Sequence, residues 1–434
     1  MPQAAKPARL DDGAMNQRSK GVLYVLIGAA AAGVYLEVKR HEREGTLHGT
    51  VSRAAPTPSG SSVGDSAPLP QPHEPAQLGR EQVQALHDAL GDVVRQGASD
   101  SGSPWALAHG LIAFGKDFKA SNAEDAVDAI AKQLVKAEGP NGTPHWTFPP
   151  GSPAAPAEPH PHLIVDVLVQ VGVSPERALT TADDSKITLQ TLIDQALAEA
   201  KDPALEPEWI DSPWLLDLLA RSPKQTERAK RLARLSWLQL REETQLIEDY
   251  RGAPDQAFAR GTALYAAKRD KTLIYGHHCG GLHFMQGALM LQAAVDADSA
   301  SITPELERLR KRIALERATY NALEAATRGT PGARLLLVQE LKFFGHGAET
   351  LGLARQQGLY ATDNSAGQQL DATLRALTWD LKRVFDALKS DGAYAQLDAI
   401  KSEQPQTYLD LIGDGCHAMR GLQRALEAFP QTEK

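Results

Sequence analysis

From Glu81 onward, apolar positions recur at helical spacing almost without interruption. In REQVQALHDALGDVVRQ, Val83, Leu86, Leu90 and Val93 fall on one face, as in an amphipathic helix. NAEDAVDAIAKQLVKAEG places Asn122 at a capping position, acids in the first turn and Gly139 at the stop. HLIVDVLVQVGV is the best strand candidate, yet Leu163, Val167 and Val171 at spacing four favour a helix there too. Further helices are predicted in ITLQTLIDQALAEA, in SPKQTERAKRLARLSWLQLREETQLIEDY and in TPELERLRKRIALERATYNALEAATRG, the last with Thr303 as cap and Pro304 at its first position. GARLLLVQELKFFGHGAETLGLARQQG, AGQQLDATLRALTWDLKRVFDALKSDG and QPQTYLDLIGDGCHAMRGLQRALEAF complete the set. No alternating, β-branched run stands out as a strand. The fold class expected is all-α, either a solenoid or helical hairpins closed into an α/α toroid. The longest predicted loop, Gly139 to Glu158, is rich in Pro and Gly, and its Trp146 and Phe148 are expected to pack onto the body.

The chain before Glu81 has a different character. Residues 1–20 are polar and basic, and residues 21–38, GVLYVLIGAAAAGVYLEV, carry no charge until Glu37. That apolar length is near the lower limit for crossing a bilayer as a helix, so the segment reads as an uncleaved signal anchor. Residues 39–80 include TVSRAAPTPSGSSVGDSAPLPQPHEPAQLG, a Pro/Ser-rich stretch that cannot bury a core and reads as a disordered linker. The organisation expected is a cytoplasmic tail, one transmembrane helix, a tether, and a helical domain over residues 81–434 on the extracytoplasmic side. The membrane is then the partner of the N-terminal helix.

Composition narrows the function classes. The net charge of −8, with no basic stripe in the body, argues against a nucleic-acid surface. The sequence contains no Walker loop, no GxGxxG after a strand, no HExxH and no GxSxG.

Candidate chemistry gathers where glycines interrupt helices. YGHHCGGLHFMQG holds Cys279 and His283, four residues apart, beside Gly280 and Gly281. A thiol at the start of a helix is acidified by the helix dipole. With an imidazole on the same face it suits a thiolate–imidazole pair or two ligands of one zinc ion. A buried small Cys in a Gly-Gly turn is the plain alternative. In KFFGHGAET, His346 lies between two glycines and Glu349 follows one turn later, placed to orient the imidazole or act as its acid/base partner. Close helix packing explains those glycines equally well. His109 follows Trp105 by four in WALAHG, an aromatic and a titratable group on one face. His417 adjoins Cys416 after IGDG, with Asp414 as a carboxylate neighbour.

PWALAHGLIAFGKDF (Pro104 to Phe118), CGGLH (Cys279 to His283), FFGHGAETL (Phe343 to Leu351) and CHAMRGL (Cys416 to Leu422) occur in that order. As a set they resemble a group of uncharacterised bacterial membrane-anchored proteins similar to terpenoid-cyclase and prenyltransferase-like α/α toroids. The resemblance implies a helical barrel with a central cavity and carries no reaction with it. The Asp-rich D-x-D-D motif of terpenoid cyclases is absent. A weaker resemblance, to lanthionine-cyclase-like toroids, implies zinc at the barrel mouth with Cys279, Cys416 and His417 as ligands. The sequence departs from that pattern in having Ala rather than Gly after His417.

Two function classes follow. One is an envelope protein whose cavity binds a small molecule, peptide or glycan ligand. The other is an enzyme, a hydrolase, lyase or zinc-dependent catalyst, using Cys279, His283, His346, Glu349 and His109 at the toroid mouth. Convergence of Cys279, His283, His346 and His417 favours the enzyme; dispersed histidines favour the binding protein.

Overall fold

The computed structural model describes residues 77–139, 142–149, 160–199, 212–222, 226–248, 268, 271–296, 301–330 and 332–429. The predicted anchor and most of the predicted linker lie outside the described residues. Among the described residues, no helix is long and apolar enough to cross a membrane.

The body is predominantly helical. Helices α1 (Arg80–Ala98), α2 (Pro104–Phe114) and α3 (Ala126–Ala131) open it. Next come α4 (Leu163–Gln170), α5 (Leu189–Glu199), α6 (Pro213–Arg221), α7 (Glu227–Glu248) and α8 (Leu282–Val295). It closes with α9 (Ile302–Thr327), α10 (Gly332–Gln356), α11 (Ser365–Ser390), α12 (Leu397–Glu403) and α13 (Pro405–Ala425). Caps follow their chemistry. Ser103 and Ser212 accept from backbone N–H groups one turn on, each followed by proline at the first helical position. Asn364 caps α11 in the same way.

The structure corrects several boundaries. The apolar stripe of α1 is Val83, Leu86, Leu90 and Val94, with Val93 only half-buried. Asp125, not Asn122, caps α3, which ends at Ala131. The chain then enters strand β1 (Val135–Glu138), paired antiparallel with β2 (Pro144–Thr147). A second short hairpin joins β3 (Ala178–Thr180) to β4 (Lys186–Thr188). Two small hairpins therefore stand where helix and loop were expected. They are anchored by side-chain burial that periodicity does not register. Trp146 is buried, and its backbone N–H and C=O bond the Gln195 amide at 2.8 Å each. At α9 the capping position belongs to Ser301, not Thr303.

Six helices pass contact from one to the next in a closed series: α2 to α4, α4 to α6, α6 to α8, α8 to α10, α10 to α13, and α13 back to α2. Of the other helices, α1 packs against α13, α5 against α4, α7 against α8, and both α9 and α11 against α10. Close approach is built into this series. A Cβ on Gly287 of α8 would fall 2.4 Å from the Pro213 carbonyl oxygen at the start of α6.

Candidate metal and acid–base centre

The site begins with α10 and α13. A Cβ on Gly421 would lie 2.9 Å from the Gly345 carbonyl, the Glu349 amide and the Ala348 Cβ, so only glycine permits this approach. Polar side chains pair across the contact in a ladder of constant offset. Lys342 donates to Asp410 at 3.1 Å, His346 Nε2 lies 3.3 Å from Asp414 Oδ1, and His417 Nδ1 lies 2.8 Å from Glu349 Oε2. The steps 342, 346, 349 and 410, 414, 417 keep each set on one helix face.

Further imidazoles close over the ladder. Ring centroids of His346 and His417 are 4.1 Å apart, and His283 of α8 lies 4.5 Å from His346 and 5.0 Å from His417. His109 of α2 stands 5.2 Å from His417 and 4.1 Å from Trp105. On the other side, Trp214 of α6 is 5.0 Å from His283 and stacks on His160 at 4.8 Å, which touches His278 at 4.3 Å. His346 is fully buried, and His283, His417 and His109 are nearly so.

Two overlapping groups have ligand atoms within 4.8 Å of one another: Cys279, His283 and His346, and His346, Glu349 and His417. Cys416, suggested by the lanthionine-cyclase resemblance, belongs to neither group; its thiol is fully buried and burial pushes its pKa up. Its neighbour His417 does belong.

Cys279 reaches this centre from an unusual turn. Cys279, Gly280 and Gly281 all have positive φ, at 51°, 61° and 81°. A Cβ on Gly281 would lie 2.3 Å from the Ile274 carbonyl oxygen, so glycine is required there. A non-glycine residue in this region costs on the order of 1 kcal/mol or more. Helix α8 starts only at Leu282, capped by Gly281, which sets Cys279 before the first turn rather than in it. Arg312, fully buried, fixes the turn by donating to the Gly280 carbonyl at 2.6 Å.

Charge at the centre is divided. Burial works against ionising Glu349, but His417, His346 and Arg420 outweigh it and hold its pKa well below the ordinary range. Burial would also strip His346 of its proton; Cys279, Asp414 and Glu349 outweigh that and raise its pKa well above the usual value. Burial dominates at His283, pushed well down, at His417, lowered despite Glu349, and at His109, pushed down to about 3. His109 Nδ1 is tied to the Trp105 carbonyl at 2.8 Å. The centre thus pairs ionised carboxylates with neutral imidazoles and favours a cation at His346. His346 Nδ1 makes no hydrogen bond, and Glu349 Oε2 lies 3.5 Å from it.

A cavity of about 20 Å³ adjoins the centre, bounded by His283, Glu349, His417, Trp214, Asp166 and Asp217 among others. That is room for about one water molecule. A larger cavity of about 250 Å³ lies beneath the β1–β2 hairpin and has none of these histidines in its wall. Chemistry, not size, marks the smaller one.

Of the residues singled out from sequence, Cys279, His283, His346, Glu349, His109 and His417 meet at this centre. Sequence reading passed over Lys342, Asp410, Asp166, Asp217 and Arg312. Asp166 and Asp217 each sit alone in apolar runs, LIVDVLV and PWLLDLL. A lone acid on a buried helix is itself a signal of paired or functional use. No known family, no curated protein and no solved structure matches this chain.

Proposed function

We propose that this protein is a metal-dependent enzyme that holds one ion of the zinc class on Cys279, His283 and His346 and acts on a small polar substrate. The observation that carries this is the convergence of a half-buried thiol, from the turn before α8, with three buried imidazoles from α8, α10 and α13. Sulfur and imidazole donors suit zinc and its neighbours rather than magnesium or calcium. Three protein ligands with one open position are the usual catalytic arrangement. His346 Nδ1, which makes no hydrogen bond, and the anionic Glu349 and Asp414 beside the ring fit an ion there.

The remaining groups have roles their geometry suits. Glu349 holds His417 through Nδ1, which fixes the tautomer and leaves Nε2 as an acceptor. A carboxylate-oriented imidazole of this kind is a general base. The ion, when bound, would supply Lewis acidity and lower the pKa of a bound water. His109, neutral and tied to Trp105, fills the wall behind His417. The closed series of six inner helices supports reading the body as an α/α toroid with this centre inside it. The apolar run of residues 21–38 supports a single-pass anchor with the body outside the cytoplasm.

A second reading is favoured by the strained backbone of Cys279: a metal-free thiol nucleophile paired with His346. Cobalt(II) added to the metal-stripped full-length chain separates the two. The metal reading expects a thiolate-to-cobalt absorption band that vanishes in Cys279→Ser. Absence of the band, with rapid alkylation of Cys279 that chelators leave unchanged, would move the assignment to the thiol.

A further inference from the structure

The wall of the small cavity that His417 borders also carries two carboxyls that the ladder does not use. Asp166 on α4 is 0% exposed and Asp217 on α6 is 5% exposed. The Gln170 amide bridges them, donating to Asp166 Oδ2 at 2.7 Å and to Asp217 Oδ2 at 2.9 Å. Arg221 Nε donates to Asp217 Oδ2 at 2.8 Å. The other oxygen of each carboxyl, Oδ1, is buried and receives no donor from elsewhere. Both residues border the cavity together with His283, Glu349 and His417.

Arg221 is the arginine hydrogen-bonded to the pair, one such cation for two buried carboxyls. Buried like charges in contact disfavour double ionisation, and one neutralises by taking a proton. Protonation also resolves the two unpartnered oxygens, because a carboxylic acid gains the donor that a carboxylate lacks. Arg221 donates to Asp217 and not to Asp166, so Asp166 is the member of the pair that takes the proton. Burial and the neighbouring Asp217 charge both push the Asp166 pKa well above the ordinary range. Other charged or titratable groups around the cavity are Glu349 on α10, His283 on α8, and His417 and Arg424 on α13.

We propose that Asp166 and Asp217 hold one proton between them, carried by Asp166, and that Asp166 presents it as the general acid of the cavity. The assignment to a reaction rests on the function proposed above; the shared proton does not. In a hydrolytic step, His417 takes a proton from the attacking water, whose oxygen bonds to the electrophilic carbon. The bond to the leaving oxygen or nitrogen breaks with its electron pair, and the Asp166 proton goes onto that atom. Acid and base then border one water-sized cavity, with environments that push their pKa values apart.

Infrared difference spectra of the full-length chain test this. Wild type minus Asp166→Asn at neutral pH is expected to show the carbonyl stretch of a protonated carboxyl. The band is expected to shift in D2O without unfolding, as for a proton reachable from the cavity. Asn mimics the neutral acid, so Asp166→Asn is expected to keep the wild-type denaturation midpoint while Asp217→Asn lowers it. Identical wild-type and Asp166→Asn spectra would overturn the shared proton, and a band that exchanges only on unfolding would overturn the general-acid role. Should Asp217→Asn not fold, the Asp166→Asn spectrum still decides. Metal content is read separately: a wild-type chain that shows the band but binds no metal contradicts the metal reading and leaves the shared proton standing.

Discussion

His417 and Glu349 face each other across α10 and α13 at 2.8 Å, and the same Glu349 oxygen lies 3.5 Å from His346 Nδ1. One carboxylate thus orients the His417 ring by a hydrogen bond and faces His346 at ion-pair distance. Arg420 and Arg424 approach its other oxygen at 3.6 and 3.7 Å. Glu349→Gln removes the charge that faces both rings. Loss of such a supporting carboxylate typically weakens metal binding about 10- to 100-fold. Competition against a chromophoric chelator should report a loss of that size. Unchanged affinity would remove Glu349 from the centre.

The turn carrying Cys279 depends on Arg312, whose guanidinium also lies 4.4 Å from the Tyr275 ring centroid. Arg312→Met keeps the apolar stem and deletes the bond to the Gly280 carbonyl. Charge-assisted hydrogen bonds are worth about 1.5–3 kcal/mol. Alkylation of Cys279 should therefore quicken by about tenfold or more. An unchanged rate would mean the turn holds itself.

Glycines on the α10 face separate by what they touch. Ala is favoured over Gly in a helix by about 1 kcal/mol. At Gly347 a Cβ would meet Leu377 and Ile313 at 3.7 Å or more, ordinary contact. Gly347→Ala should stabilise the fold by up to about 1 kcal/mol. At Gly421 the same change drives a methyl into backbone, and overpacking of this kind costs about 1–3 kcal/mol. Urea denaturation of the two variants should move the midpoint in opposite directions.

A second buried acid gives the fold a pH signature. Glu340 is fully buried; burial pushes its pKa up to about 8, with Arg383 opposing and Glu324 reinforcing. Its Oε1 has no partner while Arg383 reaches Oε2, as expected when one oxygen carries a proton. A carboxyl raised in the folded state stabilises fully below its unfolded value, near 4.5, and loses that contribution as pH rises through about 8. Stability should decline across that window by on the order of a few kcal/mol, and Glu340→Gln should flatten the decline. A wild-type profile that rises between pH 5 and 8, unaltered in the variant, would show that Arg383 keeps Glu340 charged.

Much of the helical order was legible because apolar spacing and caps act locally. Pro405 begins a helix inside a stretch readable as one, and the face of α1 survives with Val94 in place of Val93. The hairpin at Trp146 was not legible: what holds β2 is the Gln195 amide, about fifty positions away. The centre was half legible. His346, Glu349 and His417 stand out beside glycines, since the glycines that admit the helix contact also bring the ladder together. Lys342 and Asp410 look like ordinary helix-surface charges until α10 and α13 are placed side by side. Asp166 and Asp217 were visible as lone acids in apolar runs, but only the packing of α4 on α6 pairs them.

The central claim, an ion held by Cys279, His283 and His346, is tested most directly by elemental analysis of the purified full-length chain. Wild type should carry a zinc-class metal at one equivalent. His346→Ala and Cys279→Ser should lose it while remaining folded by circular dichroism. A wild-type chain that stays metal-free after zinc is supplied and excess removed would contradict the claim.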